Sequence, residues 1–544
     1  MNQTLKTALL GAAALGLAWA ASVPSTIEAA QGGTSPRELV DAAYAALGGD
    51  KIAELKTLSL KAHLAQYDPG ESYSVADPDK PGVNSSELTQ YRDFTKSLTR
   101  TEWWDRPKND EPGVRRDYFE VVTPNAGWNV GNEASNGRTP KRAITVNGVT
   151  AHTFSGKRLT VTLRELERLR IVPEMKAHMD RVTAIAAQTV NGVTYPSLQY
   201  RSTYGTFIVM FDPVTHLPAR VRTPDWDALE GDSVFDAEFS DWRDVAGTKM
   251  AMRTFYTLNG MTIADMTYRE VVPNAAMPTN AFDIPADQLA KAAKPADPRI
   301  TPFHWAIRRS YSAFYMDVDN QYGDEGTRPT IADIGPYISE TQGWTHNTVF
   351  IDMGPYLVAM EAPNDDGQAI VHLALARQKY GNKPIKYLVL SHHHVDHVGG
   401  MRTFIAEGAT VVVGKGNGEY FRRALARPQT QNWNAPSKDK PYNPQVIEND
   451  GTWTIKEGTR ELSFYMMDNP HVAGYQLGYL PELKLGLITD IWNPGPPVTA
   501  SNPGLVSVVA GVEKIGIKPT KFAGGHGAIG DYAQMAAVVK AAKK

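Results

Sequence analysis

The chain has 544 residues, 42% hydrophobic and 21% charged. At roughly 150 residues per domain that is too long for one core, and two to four domains are expected. A formal net charge of -3 with no long basic run removes the electrostatic case for a nucleic-acid partner. The absence of cysteine excludes disulfides, thiolate ligands, iron–sulfur clusters and cysteine nucleophiles.

Residues 1–30 read as a signal peptide and flexible start. Lys6 precedes the apolar run Ala8–Ala18, and Ala18-Trp19-Ala20 is a small-x-small cleavage signal. Ile27-Glu28-Ala29 is a poorer, later alternative. The apolar run is short for a membrane span. The expectation is a periplasmic or secreted protein with no stable membrane span after processing.

Residues 31–290 are expected to form a mostly antiparallel β domain. It opens on a helix: Ser35 caps it, Pro36 suits the first helical position, Glu38 completes a capping box, and Gly48-Gly49 ends it. A second short helix starts near Asp50. Thr57–Ala62 then alternates in polarity. Further short aromatic and β-branched runs are Arg100–Trp103, Tyr118–Val121 and Thr203–Phe207. Asp212-Pro213-Val214-Thr215-His216-Leu217-Pro218 is a turn leading into the strand Ala219–Arg222. This order of short helix, long sheet and Asp-Pro-x-Thr-x-Leu-Pro turn resembles the bacterial lipoprotein-carrier-like β domains over roughly residues 33–290. A curved sheet of that kind suits packing of its many aromatics or, alternatively, a lipid-like ligand.

Residues 291–333 read as a linker, starting with Lys291–Pro298, with use as a lid or as interdomain packing left open. From 334 to 544 the texture is α/β. Strands are expected at Tyr337–Ser339, Val349–Asp352, Tyr356–Met360, Ile385–Leu390 and Ala409–Val413, with helices at Gln368–Arg377 and Met401–Glu407.

The chemistry is concentrated in Ser391-His392-His393-His394-Val395-Asp396-His397-Val398-Gly399-Gly400, directly after a buried-looking strand. Imidazoles and a carboxylate at this density are good ligands for zinc-like ions. His392 and His394 fall on one side of an extended segment and His393 on the other. Asp396 and His397 can turn toward a second ion. His471, Asp490 and His526 follow in loop-like settings. Each alone is compatible with an ordinary loop or strand-end residue; their joint occurrence behind the cluster is the signal.

The His-x-His-x-Asp-His pattern, the three later residues in this order, and the strings VAMEAP, NPHVAGYQLGYLPELKLGLITDIWNP and FAGGHG resemble the metallo-β-lactamase-fold hydrolases over about residues 334–544. The resemblance implies an αββα sandwich binding two divalent metal ions, zinc by default with iron or manganese open. It implies one ion on His392, His394 and His471, another on Asp396, His397 and His526, and Asp490 bridging them. A hydroxide held by the ions would attack the substrate, with Asp396 and Asp490 as the catalytic carboxylates, Asp396 orienting the nucleophile. Asp490 is similar to the bridging aspartate of the lactonase and glyoxalase II branches. With no cysteine, the cysteine-ligand β-lactamase classes are excluded. The expected function is exported hydrolysis of an ester, lactone or related acyl compound, a small molecule, with amphipathic ones included. Sulfatase, phosphodiesterase or β-lactamase activity, or lipid binding with a structural metal, are the alternatives. A homo-oligomer is left open.

Overall fold

The computed structural model describes residues 35–290 and 329–542, apart from 68, 78–83, 108–114, 132–143, 147–148, 155, 345, 433–439, 441 and 496. The signal-peptide reading, the linker and most of the lid segment lie outside the described residues.

The helix Pro36–Ala46 starts as expected. The Ser35 hydroxyl accepts from the Glu38 amide at 3.2 Å, and the Ser35 amide donates to the Glu38 carboxylate at 2.8 Å. After it the chain builds one 14-stranded antiparallel sheet. The strand Thr57–Gln66 pairs with Asn84–Asp93 on one side and with Met261–Pro273 on the other. The first and last strands of the domain thus meet in the middle of the sheet, with one wing of hairpins to each side. In Thr57–Gln66 the even positions Leu58, Leu60, Ala62 and Leu64 are buried, as the two-residue period of a strand requires. They pack with Leu39, Val40 and Ala43 of the first helix and with Ile171, Val172 and Met175.

Three elements differ from the sequence reading. Helices at Gly156–Arg168 and Ile171–Ala177 lie within the stretch expected to be mostly antiparallel β. Leu159, Leu163 and Leu166 recur at helical spacing and are buried on one face, a signal that the sequence carried and the reading passed over. The strand expected at Thr203–Phe207 instead runs Thr206–Phe211. Residues 202–205 form a turn closed by the Ser202 amide on the Gly205 carbonyl at 2.9 Å, with Gly205 at φ +144°.

The second half is a four-layer sandwich. One sheet has seven strands in the order Thr330–Gly335, Ile338–Gln342, Val349–Asp352, Leu357–Met360, Ile385–Val389, Thr410–Gly414 and Val446–Asn449, the last four paired in parallel. The other sheet has six, from Thr452–Glu457 to Gly530–Asp531. Val349 and Ile351 face the second sheet, where they meet Leu462, Phe464 and Leu487. Phe350 faces the opposite way, toward Leu373, Phe404 and Phe421 of the covering helices. The outer face of the second sheet is covered by Pro503–Ile515 and Tyr532–Ala542. Among the described residues no helix is long and apolar enough to cross a membrane.

The two halves are joined by buried groups. Leu229 of the β domain lies wholly within the helix-side core of the sandwich. The Arg402 guanidinium, 1% exposed, donates to the carbonyls of Leu229 and Ala424 at 3.3 and 2.7 Å. Glu230 accepts from the Tyr420 hydroxyl at 3.1 Å and pairs with Arg427 at 2.9 Å.

Asp365 caps the helix Asp366–Tyr380, accepting from the Gln368 amide at 2.8 Å. Burial pushes its carboxyl from 3.8 up to about 8, against the pull of the Gln368 amide. Between those values the unfolded chain has lost the proton that the folded chain keeps, so stability falls as pH rises from about 4 to about 8. Asp365→Asn retains a capping side chain without that titration. Its metal-free thermal melts are expected to show a flatter decline over the same range; parallel curves for the two proteins would refute the assignment.

Candidate metal centre

Six loops at one edge of the sandwich carry the site, and the motif loop shows why the sequence folds as it does there. After the strand Ile385–Val389 the chain bends at Ser391 and His392, His394 is extended at φ -60° and ψ 140°, and the short helix Val395–Val398 follows. This path brings His392 and His394 together, with ring centroids 4.6 Å apart. The helical turn then brings Asp396 and His397 round behind them. Gly399 lets this turn press on the segment after Met360: a Cβ there would lie 1.9 Å from the Asn364 carbonyl oxygen. The amides of Ala362 and Asn364 donate to the carbonyls of His397 and Asp396 at 3.0 and 2.9 Å.

All seven residues singled out in the sequence converge. His392, His394, His471 and Asp490 place one potential ligand atom each within 4.8 Å of one another, and so do His346, Asp396, His397 and His526. Asp490 touches both sets. Its Oδ2 lies 3.2, 3.0 and 3.2 Å from Nε2 of His392, His397 and His471, and its Oδ1 lies 2.9 Å from Nε2 of His526. Asp396 belongs to the second set and also to a third, with Glu71 and His394. Both Asp490 and Glu361 hold positive φ, +62° and +69°. Such backbone costs about 1–3 kcal/mol per residue and persists where the surroundings force it.

The donor set suits divalent cations. Nε2 of His392, His397 and His471 and Nδ1 of His394 are buried without a hydrogen-bond partner among the described residues. Buried polar atoms are rarely left so, and here they cluster around carboxylates. Burial, then the neighbouring His397, holds the His392 imidazole down to about 3 despite the pull of Asp490. For His394 burial, then His392 and His471, depress it further. Burial raises the carboxyls of Asp396 and Asp490, but His397 and the hydrogen bonds around them outweigh it, so both stay ionised. His392 and His394 are therefore neutral imidazoles beside ionised carboxylates, as metal ligation requires. Burial depresses His397 too, but Asp396 and Asp490 outweigh it and pull its imidazole well above its usual range, so that a cation bound there would displace a proton.

Supporting groups fix which ring nitrogen faces the site. Nδ1 of His397 sits 3.2 Å from the fully buried Glu361 carboxylate, whose other oxygen accepts from the Ser391 amide at 3.0 Å. Nδ1 of His392 lies 2.8 Å from the Ser391 hydroxyl. Nε2 of His394 donates to the Ser72 carbonyl at 3.0 Å. A second hydrogen-bond chain explains His346. Gln368 donates to the His346 carbonyl at 3.0 Å and accepts from the Asn364 amide at 2.6 Å. That amide reaches Nδ1 of His346 at 3.2 Å, so Nε2–H of His346 points at Asp396 Oδ2, also 3.2 Å away. On this pattern His346 is a donor that positions Asp396.

Sequence reasoning missed His346, Glu361 and Glu71. His346 lies in the loop just before the apolar strand Val349–Asp352, and Glu361 sits in VAMEAP; their places beside strand ends were the available signals. Nothing local marks Glu71. His393, set aside as a ligand, is buried and belongs to none of the three sets. Of the neighbours noted beside the ligand loops, Tyr475 is structural: its hydroxyl accepts from the Thr489 amide at 2.7 Å and donates to the Thr489 carbonyl at 2.8 Å. Trp492 packs on Phe522, and Asn493 is exposed.

Residues 360–527 match the family described as the metallo-beta-lactamase superfamily. No curated protein matches the chain. Among solved structures, similar ones include a metallo-beta-lactamase from Pontibacter korlensis, at 15% identity, 39% of this chain, 99% of that one and a TM-score of 0.29. A metallo-beta-lactamase from Cronobacter sakazakii gives 19%, 39%, 94% and 0.28. The stereoselective inverting sec-alkylsulfatase Pisa1 from Pseudomonas sp. gives 18%, 45%, 44% and 0.29. The α/β half has the metallo-β-lactamase sandwich architecture. That domain, with its clustered ligand sets, makes the chain a metal-dependent hydrolase.

Glu361→Gln keeps an acceptor for the Ser391 amide but removes the charge behind His397. Loss of such a partner typically costs about 10–100-fold in metal affinity. Chelator-competition titration should show that loss at one ion; wild-type affinity at both would refute the role.

Proposed function

We propose that the chain is an exported dinuclear hydrolase whose substrate is an ester, lactone or related acyl compound. The observation that carries this reading is the Asp490 carboxylate set among four imidazoles, one oxygen toward His392, His397 and His471 and the other toward His526. On this reading His392, His394 and His471 would hold one ion and Asp396, His397 and His526 the other, with Asp490 in reach of both sets. Zinc is the default, since imidazole and carboxylate suit it, with iron or manganese compatible with the same donors. Bound there, two cations would supply hydroxide near neutral pH and stabilise negative charge on the substrate oxygen.

The chain's own contribution is position. The Nε2–H of His346 engages Asp396 Oδ2 at 3.2 Å. Asp396 Oδ1 is buried without a hydrogen-bond partner among the described residues. That oxygen is placed to accept a hydrogen from an attacking water and so to orient it. Asp490 fixes the spacing of the two ligand sets. Export is supported by the leader-like stretch at Lys6–Ala20 and suits a protein with no cysteine only in the sense that nothing there needs a reducing compartment. A bridging aspartate resembles that of the lactonase and glyoxalase II branches, which favours acyl substrates over β-lactams and leaves sulfatase and phosphodiesterase activity to the assay.

The test is turnover of aryl esters, lactones, phosphodiesters, alkyl sulfates and a β-lactam by metal-analysed protein. It is repeated after chelation and with Asp490→Ala. Acyl substrates are expected to turn over, with activity lost in both controls and restored to chelated wild type by zinc. A loss of about 10³-fold or more is the scale for removing such electrostatic stabilisation. Exclusive turnover of sulfates or phosphodiesters would replace the acyl assignment. Full activity in metal-free protein and in Asp490→Ala would sink the mechanism. Unfolding on chelation, without turnover of any substrate by the loaded protein, would favour a structural metal.

A further inference from the structure

The β domain enters the metal site. The connection between its adjacent strands Thr57–Gln66 and Asn84–Asp93 extends to the sandwich and makes three contacts with ligand-bearing segments. The Ser72 carbonyl accepts from Nε2 of His394 at 3.0 Å. The Tyr73 carbonyl accepts from the Ala473 amide at 2.7 Å, two residues beyond His471. The Glu71 carboxylate lies 3.5 Å from Nδ1 of His394. The loop is also braced internally: the Ser72 hydroxyl donates to the Ser74 carbonyl at 2.8 Å and the Asp77 amide donates to it at 3.0 Å. Val75 packs against the helix-side core of the sandwich.

The contact between Glu71 and His394 is the informative one. A carbonyl oxygen can only accept, so Nε2 of His394 carries its hydrogen, and in the neutral ring Nδ1 is then a lone pair. That lone pair faces a carboxylate oxygen at 3.5 Å without hydrogen-bond geometry. His394 is 2% exposed and stands between His392 and His471, with both ring centroids 4.6 Å away. Three imidazoles packed in this way are poor surroundings for an added proton. A buried ring lone pair facing the oxygen of a half-buried carboxylate at this distance favours a cation between them. Glu71, His394 and Asp396 bring one ligand atom each within 4.8 Å of one another.

We propose that Glu71 is a metal-facing carboxylate delivered by the β domain, completing the coordination of the ion held by His394 and making this a two-domain metal centre. The assignment rests on the dinuclear reading above. It also bears on the substrate: with Asp396, Asp490 and Glu71 all ionised, two divalent ions retain one net positive charge in place of two. The attraction for a sulfate or phosphodiester is weakened, and an uncharged acyl compound loses nothing.

The test is chelator-competition titration of cobalt(II) into the metal-free full-length protein, read by visible absorption, for wild type and Glu71→Gln. Asp77→Asn is the control, since it removes a carboxylate from the same loop at an exposed position outside the three ligand sets. Glu71→Gln is expected to weaken one of two cobalt affinities by about 10–100-fold, the scale for losing a supporting partner at a metal site. It should also change the intensity of the visible band, which follows coordination number. Both affinities in Asp77→Asn and the second affinity in Glu71→Gln should be unaffected, and metal-free melts of both variants should match wild type. Two unaltered affinities and an unaltered spectrum in Glu71→Gln overturn the assignment, while two-ion binding and hydrolysis by wild type leave the dinuclear reading standing. Failure of wild type to bind a second cobalt overturns both. If Glu71→Gln melts early, Glu71→Asp, which keeps the charge, decides: recovery of fold and affinity supports a charge-dependent ligand, and recovery of fold alone refutes it.

Discussion

Asp490 is an ionised carboxylate in reach of four imidazoles, and the sandwich half is organised around making that arrangement tolerable. An isolated buried charge costs several kcal/mol even after relaxation, roughly as much as a small domain has in reserve. The protein does not relieve that cost by burying Asp490 among apolar groups or by pairing it with an arginine. It surrounds it with weakly basic rings whose partnerless nitrogens point the same way. Such an arrangement is poor as a core and good as a receptacle for positive charge. The left-handed backbone at Asp490 and Glu361 belongs to the same constraint, because both residues must leave a strand and turn at once toward the ligand rings.

The rest of the sandwich supplies rigidity to that edge. Each ligand loop follows or precedes a short buried strand, so the ligand positions inherit the spacing of two packed sheets. Glycines permit the closest approaches. A Cβ at Gly524, just before His526, would fall 1.5 Å from the Ile488 carbonyl oxygen, and one at Gly414 would fall 1.8 Å from that of Gly474. These contacts bring the His526 and Asp490 loops, and the strand end near His471, into contact. Side chains larger than hydrogen would hold the ligand sets apart whatever the histidines themselves preferred.

Legibility in the sequence followed the range of the interactions. The capping box at Ser35 is complete within four residues and was readable in full. The His-x-His-x-Asp-His loop was readable because its alternation and its helical turn are local, and His471, Asp490 and His526 because each sits at a strand end. Glu361 and His346 act through residues distant in the chain, Ser391 and His397 for one, Gln368 and Asn364 for the other. No local pattern announces a partner of that kind. Glu71 is farther still, separated from His394 by most of the β domain. The helix Gly156–Arg168 did carry a local signal, Leu159, Leu163 and Leu166 at helical spacing; what the sequence could not show is that Arg164 is buried on an ion pair with Asp225, 2.8 Å away.

The two halves are consequently poor candidates for independent units. The sandwich closes its helix-side core with Leu229 and satisfies Arg402 with the Leu229 carbonyl, both from the β domain. At the metal edge it uses the Ser72 carbonyl to orient His394 and the Tyr73 carbonyl to hold the strand end beside His471. Excision of the β domain would open a cavity among Phe404, Phe421 and Leu425 and strand buried donors, each at about 1–3 kcal/mol. The domain that carries no ligand motif of its own is thereby a structural component of the site. The loop at residues 69–77 lies against the ligand segments at His394 and Ala473, so a change in that one loop would alter the surroundings of the ligand sets without touching any of the seven residues that the motif identifies.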